Sequence, residues 1–117
     1  MMKSVSTMLF LLLVGVVVAP AASTRTYTGQ IMDSACAKAG NHHAGYKMTG
    51  MHTPRGCTLA CVKAGSHFVL YNSARHQAYR IDNVADGRRF AGENVKIVGK
   101  YNSHTKILHV ISIRRVR

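Results

Sequence analysis

Carboxylates are scarce in this sequence: four Asp+Glu stand against 16 Lys+Arg, for a formal net charge of +12. The four are Asp33, Asp82, Asp86 and Glu93. Only Asp82 and Asp86 are close in sequence, and they flank a short predicted helix where capping accounts for them. General acid–base chemistry by a carboxylate pair is therefore not expected. Phosphate-binding glycine loops are missing too, since Gly40, Gly45 and Gly50 follow neither G-x-G-x-x-G nor G-K-[ST]. No C-x-x-C pair is present, which argues against a dithiol redox enzyme. Internal repeats, Pro/Ser linkers and coiled-coil heptads are also absent.

No apolar run reaches the ~20 residues of an ordinary transmembrane helix. The longest, Met8 to Val18, is apolar except for Gly15. It follows a polar start with one cation, Lys3, and leads into Ala19-Pro20-Ala21. A charged start, a short apolar stretch and an A-x-A-like end form a secretory signal pattern. Residues 1–23 are thus expected to be a cleavable signal peptide and residues 24–117 one small domain, secreted or periplasmic. No cysteine closely follows the apolar run, so a lipid anchor is not expected. Removing Lys3 takes the formal charge from +12 to +11.

Within residues 24–117, short runs of Val, Ile, Leu, Tyr and Phe are separated by turn residues, the pattern of a small all-β domain. Five strands are expected: Tyr27–Met32, His67–Tyr71, Gln77–Ile81, Val95–Tyr101 and Ile107–Ile113. Gly99 marks a bend or bulge, and the slipped alternation between Val110 and Ile113 marks a bulge. Two short helices are expected. One is Thr58 to Ala64, with Thr58 as N-cap and Gly65 beyond its end; the other is Asn83 to Phe90. Residues 34–56 read as a loop rich in glycine and histidine.

Five strands with a helical piece between the third and fourth follow the order of an OB-fold barrel. The chain resembles small exported bacterial proteins of unknown function with an OB-like barrel. The resemblance rests on Gly29-x-x-x-Asp33-Ser34-x-Cys36, Cys57-Thr58-x-x-Cys61-Val62-Lys63-x-Gly65, Phe68-Val69-Leu70-Tyr71, Phe90-Ala91-Gly92-x-x-Val95 and Val110-x-x-Ile113. It implies fold and export, and no activity.

The constellation with chemical promise is Cys36, His42, His43, Cys57 and Cys61. On a helix, Cys57 and Cys61 share a face one turn apart. Cys36 is placed at the end of the first strand, and the loop can fold it back. Three readings stay open. Export favours a disulfide from Cys36 to Cys57 or Cys61. Alternatively, the three thiolates and His42 form a Cys3His metal site for zinc, or for copper if Met32, Met48 and Met51 lend soft sulfur. In the third, one cysteine is a nucleophile or redox thiol with His42 or His43 as its base.

The charge points to a polyanion. Arg80, Lys96, Lys100, Arg114 and Arg115, near Tyr71, Tyr79 and Tyr101, are the candidate anionic-ligand surface. For an exported chain, anionic lipid or polysaccharide is a more natural partner than nucleic acid. The leading expectation is a non-enzymatic, exported binding module of the cell envelope with a disulfide-fixed loop. The alternative is a periplasmic metal- or thiol-binding protein.

Overall fold

A computed structural model describes residues 14–16 and 23–116. The expected signal segment therefore falls mostly outside the described residues. The elements are β1 (Arg25–Asp33), α1 (Ser34–Ala39), α2 (His43–Thr49), α3 (Pro54–Lys63), β2 (Phe68–Asn72), β3 (Gln77–Ile81), α4 (Val84–Arg89), β4 (Asn94–Asn102) and β5 (Ile107–Arg115). The protein is mainly β, with five strands and four short helices.

Alternation of apolar residues in the sequence becomes the two faces of one sheet. β1 pairs antiparallel with both β2 and β4, β2 pairs with β3, and β4 pairs with β5. β3 and β5 run parallel. The hydrogen-bonded order β1-β2-β3-β5-β4 thus returns to β1. Inside lies the main apolar cluster, which includes Ile31, Phe68, Leu70, Ile81, Val95, Ile97 and Leu108. The two irregularities expected in β4 and β5 are one bulge: Val98 faces Ser112 and Gly99 faces Val110, leaving Ile111 as the extra residue.

The β2 sequence Phe68-Val69-Leu70-Tyr71 does not alternate because both of its faces are buried. Phe68 and Leu70 point into the main cluster. Val69 and Tyr71 point outward and join Met32, Cys36, Ala37 and Cys57 in a second cluster. That second layer lies between the outer face of β1–β2 and the helices α1 to α3.

The expected loop over residues 34–56 is corrected here: it contains α1, α2 and the start of α3. Two of its glycines end helices, and the other two, Gly45 and Gly56, are within α2 and α3. Gly40 and Gly50 are the C-caps of α1 and α2, with φ of 82° and 71°. Asp33 caps α1, its Oδ2 accepting from the Cys36 N–H at 3.0 Å. Cys36 is therefore on a helix, not at the end of the first strand. α3 begins at Pro54 behind the N-cap Thr53, four residues before the expected cap Thr58. Thr53 Oγ1 accepts from the Gly56 N–H at 3.0 Å, and a proline in the first turn is the usual companion of such a cap. α4 falls where expected, capped by Asn83. Among the described residues, no helix is long and apolar enough to cross a membrane.

Candidate metal centre

Capping by Asp33 turns the chain from β1 straight into α1 and places Cys36 in the first turn of that helix. Cys57 and Cys61, one turn apart on α3, present their thiols from the other side. One ligand atom from each of Asp33, Cys36, Cys57 and Cys61 lies within 4.8 Å of all the others. Asp33 and Cys57 are fully buried, Cys36 is almost so, and Cys61 is half-buried.

The sulfur spacing distinguishes two of the sequence readings. Cys36 Sγ and Cys57 Sγ are 3.8 Å apart, whereas a disulfide needs about 2.05 Å. All three cysteines are free thiols. Zinc–thiolate bonds of about 2.3 Å in a tetrahedron put neighbouring sulfurs about 3.8 Å apart. The observed separation has that value.

Electrostatics point the same way. The cluster brings four acidic groups together away from water. Burial, followed by the neighbouring Asp33, pushes the Cys36 thiol far up. Burial likewise pushes Cys61 from 9.0 up to about 11, with Asp33 and Cys57 adding to the effect. A bound cation reverses this, because a coordinating thiol gives up its proton.

Asp33 is the more telling residue. Asp82 meets His109 Nδ1 at 2.5 Å and Glu93 meets Arg115 Nε at 2.5 Å. Asp86 sits in the first turn of α4. Asp33 alone is fully buried, and among the described residues no cationic side chain pairs with it. Its Oδ1 has no hydrogen-bond partner, and neither has the buried Thr58 Oγ1 beside Cys57. An uncompensated buried carboxylate costs several kcal/mol, which makes a nearby positive charge the natural complement.

Helix α2 closes over the sulfurs through Gly45. A Cβ there would stand 2.6 Å from Cys57 Sγ and 2.7 Å from Cys36 Sγ. No other residue fits without moving the cluster. Gly45 is needed for this close approach, since its φ is not in the left-handed region.

Not every expected residue arrives. His42 is not a member of the group, and Asp33 takes the place expected of it. The His42 ring instead meets Gln30 Oε1 through Nε2 at 3.4 Å and stacks on Tyr46. His43 is exposed. Met32 packs beside Cys36 and Cys57, but Met48 and Met51 are exposed. Asp33 and Gly45 are the members of the candidate site that sequence reasoning missed. A carboxylate three residues before Cys36, at a strand-to-helix turn, was the available signal.

The candidate anionic surface divides. Lys96 of β4 stands directly opposite Arg114 of β5, and Lys100 opposite His109. Arg80 is on β3, which β5 separates from β4. Arg115 is engaged with Glu93 and with the Phe90 ring. The tyrosines are mostly used in packing: Tyr79 makes edge contacts with Tyr27 and Tyr101, and Tyr71 is buried under the helices.

No protein-family model matches this chain, and no curated protein or solved structure matches it either.

Proposed function

We propose that this protein is an exported, non-enzymatic OB-like barrel that binds one thiophilic metal ion through Asp33, Cys36, Cys57 and Cys61. The strand order, the parallel β3–β5 pair and α4 between β3 and β4 support the barrel reading. The observation that carries the metal is the buried carboxylate of Asp33, set among three thiols with no cationic partner. Three thiolates with one carboxylate suit zinc. Copper(I) is less favoured, because the fourth donor is a hard oxygen and Met48 and Met51 face away. Four protein donors leave no open position, so the site is structural rather than catalytic. It ties α1 and α3 to the end of β1.

Intact-mass measurement of the protein purified without reductant, with and without zinc, tests this. One zinc per chain, protecting all three thiols from alkylation, is the expected result. A chain lighter by two hydrogens with one alkylatable thiol, taking up no metal, would establish the disulfide instead.

A second reading concerns the charge. Like charges directly opposite on neighbouring strands destabilise a sheet, and Lys96 facing Arg114 is such a pair. An anionic lipid or polysaccharide on the outer face of β4–β5 would relieve that repulsion. Retention on heparin that falls steeply with salt, and weakens in Lys96→Ala, supports this reading. No retention at low salt rules it out.

A further inference from the structure

A groove of about 530 Å³ lies beside α2, lined by its His43 and Tyr46. The outer face of β1, the end of β2 and the turn between α1 and α2 enclose it. No Lys, Arg, Asp or Glu lines it, in a chain carrying 16 Lys+Arg. Its polar walls are chiefly carboxamides and imidazoles, from Gln30, Asn41, His42, His43, Asn72 and Asn94.

Hydrogen bonding fixes part of this wall. Gln30 Nε2 donates to the Gly92 carbonyl at 3.0 Å, which turns Gln30 Oε1 toward His42 Nε2 at 3.4 Å. His42 must then carry its proton on Nε2. Its Nδ1 is left as a buried acceptor without a partner. Burial lowers the pKa of His42, which favours the uncharged ring. Tyr46 stacks on His42 with centroids 5.7 Å apart and planes 19° from parallel, giving one flat aromatic side.

Carboxamides offer both donors and acceptors, and so do hydroxyls. A lining of carboxamides with a flat ring suits a ligand with many hydroxyls and an apolar C–H face. A charged ligand would find no Lys, Arg, Asp or Glu in the lining. The volume is within the usual range for small-ligand sites, about 300–1,000 Å³.

We infer that this groove binds a neutral saccharide. The site adjoins the basic β4–β5 face, since Lys96 pairs with Thr28, and its Asn41–Tyr46 wall belongs to the helical insert, so the zinc-supplemented, reduced chain is used for the test. The test is an amide NMR titration of the full chain with chitotetraose, with maltotetraose and, for contrast, with heparin. At millimolar concentration, at least one neutral sugar is expected to shift the side-chain amides of Gln30, Asn41 and Asn94. Heparin should leave the Gln30 and Asn41 signals in place. Tyr46→Ala should weaken the sugar roughly tenfold. Asn94→Ala, at an exposed position that does not threaten folding, should weaken it several-fold. Absence of shifts with both sugars, shifts confined to residues outside the groove, or a larger groove response to heparin would each overturn the inference. So would sugar binding unchanged in both variants.

Discussion

The closed sheet and the helical insert are stabilised by different means. The sheet joins residues distant in sequence through continuous ladders around one apolar cluster that includes Ile31, Leu70, Val95, Ile97 and Leu108, all fully buried. The insert is three helices of 6, 7 and 10 residues. Helices shorter than about 12–15 residues are marginal in water by themselves. What lies beneath them is a small layer holding three thiols and a carboxylate. The sheet has an apolar core of its own, whereas the insert is packed over a layer that holds acidic groups without a counter-charge among the described residues. A metal ion would make the insert as firm as the sheet.

Removing the metal is the strongest way to expose the difference. A chelator, or Cys57→Ala, should abolish hydrogen-exchange protection in α1 to α3 while the strands keep theirs. Equal loss in both regions would refute the division. Leu70→Ala should act the other way. Its cavity should cost roughly 2–5 kcal/mol and lower the thermal midpoint of the whole molecule, with zinc stoichiometry unchanged below that midpoint.

Gly45→Ala addresses the contact between α2 and the sulfurs. It should weaken zinc at least tenfold in a competition titration, with little change in the strands. Thr53→Ala removes the cap of α3 and should cost about 1 kcal/mol, read as faster exchange at the start of that helix. Alkaline pH should produce the smallest effect. The Cys61 thiol is raised from 9.0 to about 11 in the folded, metal-free protein. Its contribution to stability is therefore intact below pH 9 and is lost as pH rises through about 11. The metal-free insert should loosen over that window before the sheet does, and zinc should suppress the change because the thiolates are then already formed.

The same comparison explains what the sequence disclosed. The strands were legible because burial of one face imposes alternation; β4, with Val95, Ile97 and Gly99 inward, is the clear case. Even the bulge at Ile111 left a slip in the pattern. The insert was not legible. Helices of 6 and 7 residues carry too little periodicity, so Gly40 and Gly50 read as loop residues when they are helix caps. Cys57 and Cys61 were placed on one helical face because their spacing is local. The fourth group was not, since the proximity of Asp33 to the thiols arises from the strand-to-helix turn and the α3 packing. The adjacent histidines drew attention as the commoner zinc ligands, yet His42 turns toward Gln30 and Tyr46.

X-ray absorption at the zinc edge of the reduced, zinc-loaded protein reads the ligand set itself. The account predicts three sulfurs at about 2.3 Å and one oxygen at about 2.0–2.2 Å, with the oxygen lost in Asp33→Ala. A shell containing a histidine nitrogen that persists in Asp33→Ala, or a reduced protein that retains no zinc, would contradict it.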